Sequence, residues 1–226
     1  MNLGCVVPFS LIDYCFKDID LLDTALTHRS VGKNNYERLE FLGDSVLGLV
    51  ITDALFNAYP DESEGTLTRL RSYLVKKESL SRLARELNLG KQIKLGAGEM
   101  KSGGWRRDSI LANTLEALIG AVYLDSNFLT CKDVVLSIYE NELNSLDVER
   151  VGKDPKTLLQ ELLQSKKMPL PIYTIVDEFG EAHKKTFTVS CQVDGLSQSI
   201  EASGRSKRFA EQSAASKVLE IFENTN

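Results

Sequence analysis

Cysteine is scarce and scattered: Cys5, Cys15, Cys131 and Cys191 stand far apart and form no short-spaced pair. That spacing excludes a cysteine metal knuckle and a dense disulfide framework, and the four are expected to be reduced, partly buried thiols. Long apolar runs are missing as well. Leu3 to Ile12 is apolar, but it has no basic leader and Pro8 and Ser10 interrupt it. Neither a secretory signal nor a membrane span is convincing there, so a cytoplasmic protein with no membrane partner is expected. Positive charge is not in excess either. The 27 Lys and Arg against 32 Asp and Glu leave −5, the opposite of what a nucleic-acid binder usually carries. Glu-x-x-His pairs are absent, which argues against a carboxylate-bridged di-iron bundle.

What is present is a concentration of acid in one short run, Glu37-Arg38-Leu39-Glu40-Phe41-Leu42-Gly43-Asp44-Ser45. At 3.6 residues per turn, Glu37, Glu40 and Asp44 share one helix face. Like charges so placed repel by roughly a few tenths of a kcal/mol per pair, so stability gives no reason to gather them. A divalent cation would. Magnesium takes hard oxygen ligands, keeps several waters, and joins one or two carboxylates to a substrate phosphate.

A second run, Asp108 to Ala121, places Asn113 and Glu116 on one face of an otherwise apolar helix containing Leu111, Leu115, Leu118 and Ile119. Buried ionised carboxylates are tolerated when paired or metal-bound. A solvated helix face is the alternative for either run taken alone.

Residues 1 to about 145 read almost entirely as helix, with apolar residues three and four apart at Leu39, Leu42, Val46 and Leu49 and again at Leu80, Leu83 and Leu87. Pro60 breaks this pattern, and Gly96 to Gly104, with Arg106 and Arg107 behind it, reads as a loop. Near residue 150 the periodicity fades. Asp154-Pro155 then supplies a helix N-cap and a proline at the first helical position, giving domains 1–150 and 151–226. A helix from Pro155 to about Lys166 is followed by period-two alternation. Strands are expected at Ile172 to Phe179, around Phe187 to Val193, and at Leu196 to Ala202 after an Asp194-Gly195 hairpin turn. A helix from Lys207 to about Glu223 closes the chain.

Basic residues cluster locally although neither half is broadly basic: residues 1–150 hold 17 basic and 22 acidic side chains, and residues 151–226 hold 10 of each. Clusters fall at Arg69/Arg71, Lys76/Lys77, Arg82/Arg85, Lys101/Arg106/Arg107, Lys184/Lys185 and Arg205/Lys207/Arg208. A phosphate contact needs only such a patch.

The runs Glu37 to Ser45 and Asp108 to Ala121, together with Leu26-Thr27-His28-Arg29-Ser30, resemble the bacterial ribonuclease III family. The resemblance extends over essentially the whole chain. The second domain, α-β-β-β-α, resembles the double-stranded-RNA-binding domain, best matched by Gly204 to Ala215. The fold this implies is a mainly α endonuclease domain, a helical bundle, followed by a small α+β domain.

By the same resemblance, Glu40, Asp44, Asn113 and Glu116 bind Mg²⁺, with Mn²⁺ able to substitute, and Asp44 and Glu116 are the essential catalytic pair. Glu37 and Glu64 are outer or RNA-side carboxylates, although Glu64 lies in an acidic loop and reads equally as solvated. The expected reaction is hydrolysis of double-stranded RNA to 5′-phosphate and 3′-hydroxyl ends, in rRNA and mRNA processing. Gln160, Gln164 and His183 would touch the minor groove, glutamine being able both to donate to and accept from a 2′-hydroxyl. Arg205, Lys207 and Arg208 would meet phosphate at a helix N-terminus. His28 reads as a hydrogen-bonded structural residue. A homodimer would supply two sites for two strands, with Phe41 inserting into the partner subunit; the alternative for Phe41 is a core aromatic of its own subunit.

Position 113 departs from the family, being Asn where the pattern has Asp. The amide oxygen can still ligate a hard cation, but one negative charge is gone. Three readings stay open: a natural active variant, an engineered substitution that traps a complex, or a duplex-RNA-binding protein that cuts weakly or not at all.

Overall fold

A computed structural model describes residues 7–180, 185–196 and 198–224. The chain forms two compact units, residues 1–148 and 149–226, each with its own interior.

The first unit opens with an antiparallel hairpin, β1 (Val7–Phe9) and β2 (Tyr14–Phe16), which the helical reading of this region did not anticipate. Three-residue strands carry too little alternation to register as period two. Helices follow at α1 (Ile19–Ala25), α2 (Glu37–Ala58), α3 (Glu64–Val75), α4 (Lys77–Glu86), α5 (Ala97–Lys101), α6 (Asp108–Asp125), α7 (Phe128–Ile138) and α8 (Glu140–Asn144), and the short α9 (Val148–Gly152) begins at the last residue of this unit and runs into the second. Several starts are capped by their own side chains. Ser63 accepts from the Thr66 N–H at 3.2 Å and Asn127 from the Thr130 N–H at 3.1 Å, each satisfying a backbone donor that the helix cannot.

Helix α6 runs through the middle of this unit. Ile110, Leu111, Ala112, Thr114, Leu115, Ala117, Leu118, Ile119, Gly120, Ala121 and Val122 are all buried, which accounts for a helix apolar on nearly every side. At its C-terminal end Asp125 accepts from the Tyr14 hydroxyl at 2.7 Å and from the backbone N–H groups of Lys17 and Asp18 at 2.9 and 2.8 Å. One carboxylate thereby fastens the hairpin to α6, and these donors hold it below the usual aspartate range even though its burial pushes the other way.

Two local expectations change here. The glycine-rich Gly96–Gly104 stretch is not a free loop: it contains α5 and a 3₁₀ turn at Gly104–Arg106. Its shape is set by close approach, since a Cβ on Gly96 would overlap the Ser30 carbonyl oxygen. Leu49, read as part of the buried face of α2, is 56% exposed. Cys15 also differs from the expected thiol, being disulfide-bonded, while Cys131 and Cys191 are free and buried.

The second unit holds α10 (Pro155–Ser165), β3 (Ile172–Phe179), β4 (Thr186–Gln192), β5 (Ile200–Gly204) and α11 (Lys207–Asn224), with the strands antiparallel in the order β3-β4-β5. Asp154 caps α10 by accepting from the Thr157 N–H at 3.1 Å, ahead of Pro155. Cys191 and Val193 pack with Leu159, Leu163, Ala214 and Val218, and Val189, two residues earlier on the same face, is buried as well, as strand alternation against two helices demands. The third strand starts at Ile200, opposite Cys191, later than the expected Leu196. Leu196 instead donates its N–H to the Val193 carbonyl at 3.2 Å, after Gly195 at φ +85°, and its side chain packs on the core.

Candidate functional site

Gly43 and Gly120 decide where the acidic side chains meet. A Cβ on Gly43 would overlap the carbonyl oxygen of Glu116, and one on Gly120 would overlap that of Leu39. With hydrogen in both places, α2 and α6 touch backbone to backbone. That contact places Glu37, Glu40 and Asp44 from α2 beside Asn113 and Glu116 from α6, all lining one open cleft of about 800 Å³. Within the buried middle of α6, Asn113 and Glu116 are partly exposed because this is the side that faces the cleft.

The electrostatics of the cleft are those of carboxylates short of cations. Glu116 is pushed up to about 8, first by burial and then by Asp44 and Glu40. Glu40 is also raised, by burial and then by Glu37, while contact with the Asn113 side chain works the other way. The same amide reaches the hydroxyl of Tyr36. Two arginines line the cleft, but each is engaged by an outer acid: Arg29 lies 3.4 Å from Glu37 and Arg107 lies 2.5 Å from Glu99.

Glu40, Asp44 and Glu116 are hard oxygen donors, two of them made to hold protons more tightly by the shortage of positive charge around them, and the Asn113 amide adds a neutral donor, a set that fits a hard divalent cation. Among the described residues no three His, Cys, Asp or Glu side chains stand close enough to cage a metal unaided. An ion that retains waters and shares a substrate phosphate needs no such cage.

Further residues of the cleft are ones the sequence reading did not assign to the site, although it named His28, the Leu26 to Ser30 segment and Arg107 for other reasons. His28, Arg29, Ser30, Glu99, Arg107 and Ser109 all line the cleft. The Leu26 to Ser30 segment is pinned by its backbone: the His28 N–H donates to the Lys94 carbonyl at 3.0 Å and the Lys94 N–H to that of Leu26 at 2.8 Å. Ser30 Oγ accepts from the Gly96 N–H at 2.9 Å and lies 2.7 Å from His28 Nδ1. His28 is 7% exposed, packed edge-on to Tyr36, and burial lowers its basicity. Glu99 gave no signal because it sits among glycines, where helix periodicity cannot be read.

Glu64 does not join this group. It begins α3 and lines a second, smaller cleft with Thr52, Phe56 and Arg71. Phe41 stands on the rim of the acidic cleft at 78% exposure, so it is not a core aromatic of its own chain. In the second unit Gln160 and Gln164 are exposed on α10 opposite buried Leu159 and Leu163. Arg205, Lys207 and Arg208 are exposed around the start of α11, where Ser206 Oγ accepts from the Phe209 N–H at 3.1 Å. His183 lies outside the described residues.

Two family descriptions match separate stretches of the chain. The Ribonuclease-III-like family matches residues 18–143 and the double-stranded RNA binding motif matches residues 155–221. Ribonuclease 3 of Acinetobacter baumannii is 53% identical over 216 residues, 95% of this chain and 94% of that one. The Hahella chejuensis enzyme of the same name is 51% identical over 208 residues, 92% of each. Among solved structures, the nuclease domain of ribonuclease III from Campylobacter jejuni is 43% identical with a TM-score of 0.58, covering 61% of this chain and 94% of that one. A helical nuclease domain with a facing pair of acidic helices, followed by a duplex-RNA-binding domain, defines an endoribonuclease of double-stranded RNA. The chain belongs to the ribonuclease III family, whose members are metal-dependent.

Proposed function

We propose that residues 1–150 cut and residues 151–226 hold a double-stranded RNA, with the phosphodiester hydrolysed at the Glu40/Asp44/Asn113/Glu116 cleft. The observation that carries this reading is the convergence of Glu40 and Asp44 from α2 with Asn113 and Glu116 from α6 on one open cleft, and the raised pKa of Glu116 there is what carboxyl groups crowded without a cation produce. Glu40, Asp44 and Glu116, with the Asn113 amide oxygen, would hold Mg²⁺ or Mn²⁺. When bound, the ion supplies a water of lowered pKa and positive charge beside the scissile phosphate.

The chain's own residues do the rest. Asp44 and Glu116 would hold the ion, Glu40 would complete the set, and Glu37 restrains Arg29 at the cleft edge. As a water oxygen attaches to phosphorus it gives up one proton to solvent, the bond from phosphorus to the 3′ oxygen breaks, and that oxygen takes up one proton from solvent, leaving 5′-phosphate and 3′-hydroxyl ends. Gln160 and Gln164 are suited to 2′-hydroxyls in the minor groove, and Arg205, Lys207 and Arg208 to phosphates.

Two strands call for two clefts, and a homodimer is supported by Phe41, Leu49 and Phe56, exposed by 78%, 56% and 68% along one side of α2. A relative offers a parallel: a second structure of the Campylobacter jejuni domain, 44% identical at TM-score 0.57 over 57% of this chain and 92% of that one, concerns flexibility in the region involved in dimer formation. The setting proposed for this activity is the processing of rRNA and mRNA precursors in the cytoplasm.

The test is cleavage of a perfect RNA duplex with analysis of the product ends. With Mg²⁺, 5′-phosphate ends are expected; with chelator, cutting stops while duplex binding persists. No cutting at any Mg²⁺ or Mn²⁺ concentration would leave a duplex-RNA-binding protein instead.

A further inference from the structure

In the second unit, one aromatic ring lies beneath two cations that are distant in sequence. Lys185 precedes β4 and Lys207 opens α11, yet their ammonium nitrogens lie 5.9 and 5.6 Å from the centre of the Phe187 ring. Both distances fall within the range in which a ring's quadrupole attracts a cation. We propose that Phe187 is a positioning residue for duplex RNA, its ring gathering Lys185 and Lys207 so that both ammonium groups are presented together to the phosphate backbone. This inference rests on reading residues 151–226 as the duplex-binding domain.

The strand register puts the ring at this junction. Phe187 pairs across to Glu178 on β3 and to Gly204 on β5, and the basic Arg205-Ser206-Lys207-Arg208 turn begins one residue after Gly204. Glu178 is ion-paired with Lys185, and its carboxylate is held below the usual range by Lys185 first and by Lys207 at longer reach. Two ammonium groups on flexible four-carbon stems repel and would otherwise separate. A shared ring and a nearby carboxylate hold them in place before RNA arrives, reducing the side-chain ordering that binding would otherwise require. Phe187 itself need not touch RNA.

The experiment measures binding of the full chain to an RNA duplex of about 20 base pairs, longer than the roughly 16 this mode spans, in chelator so that nothing is cut. F187L, F187Y, the Lys185→Met/Lys207→Met pair and the triple variant with F187L are compared by fluorescence anisotropy. F187L should weaken binding about two- to fivefold, F187Y should restore it, and F187L should have no further effect once both lysines are gone. An unchanged affinity in F187L, or the same loss in the lysine-free background, would overturn the proposal, the latter showing that the ring acts only through the fold. Failure of the wild type to bind duplex would overturn the domain reading and the inference with it. Thermal unfolding is followed alongside, and Phe187→Met takes the place of F187L if the latter melts at assay temperature.

Discussion

Gly43 faces Gly120 across the contact between α2 and α6, and a Cβ on Gly120 would come within 3.2 Å of the Gly43 nitrogen. The two acidic faces share one cleft because neither residue has a side chain. Gly43→Ala should therefore separate the helices. Overpacking of this kind costs about 1–3 kcal/mol, but cleavage should fall much further than the unfolding midpoint indicates, because a displacement of about 1 Å at a reacting centre can cost a hundredfold. Thermal unfolding and single-turnover cleavage, measured on the same sample, check this.

Asn113 supplies an oxygen but no charge. Asn113→Asp should lower the Mg²⁺ concentration for half-maximal cleavage, by roughly tenfold or more as expected for a change in the groups holding a metal. Glu116→Gln should reduce the rate by at least about a hundredfold, since a metal contributes several kcal/mol of charge stabilisation. A metal titration of duplex cleavage reads both. An N113D protein with the wild-type midpoint and rate would remove position 113 from the metal site.

Gly48 lies on the same side of α2 as Phe41, Leu49 and Phe56 and has nothing within 4 Å of where its Cβ would be. Within one chain, Gly48→Ala should therefore stabilise the helix by about 0.5–1 kcal/mol. Gly48→Arg and Phe41→Ala should both weaken self-association if a second copy covers this side. Sedimentation over a dilution series measures it. A monomer that still cuts both strands at the wild-type rate would rule out paired clefts.

His28 gives a pH signature. Burial is the main cause of its lowered pKa, with Glu99 and Glu37 opposing and Arg29 and Arg107 assisting. The unfolded chain therefore binds this proton more readily than the fold does. The contribution of neutral His28 is complete above the unfolded value near 6.5 and is lost as pH falls below it. The melting-temperature advantage of wild type over His28→Asn should accordingly shrink from pH 7.5 to pH 5. An advantage constant across that range would show that His28 is equally basic in both states.

Much of the active cleft could be read from spacing alone, because Glu37, Glu40 and Asp44, and separately Asn113 and Glu116, repeat at helical intervals with no stabilising reason to do so. The pairing of the two helices was not readable in the same way. It depends on Gly43 and Gly120, and glycine within a helix looks like a weakness until the opposing backbone is known. Glu99 escaped notice, and Arg107 was read only as a basic flank, because the turn that carries Glu99 is held at Gly96 by Ser30 rather than by local periodicity, and Arg107 reaches the cleft through its pairing with Glu99. Glu64 was grouped with the cleft by likeness, but within one chain it sits at the head of a different helix. Leu49 has the spacing of a core residue and the exposure of a contact residue, a distinction that periodicity cannot make.

The hairpin of residues 7–16 contributes nothing to the cleft, yet Asp125 draws three donors from Tyr14, Lys17 and Asp18 at the far end of the helix that carries Asn113 and Glu116. Trimming those first strands would take the Tyr14 hydroxyl from that carboxylate and leave its other two donors, Lys17 and Asp18, on a loose chain end. The opening segment is thus an anchor for the catalytic machinery, and a shortened chain would lose heat resistance before it lost any residue that meets RNA.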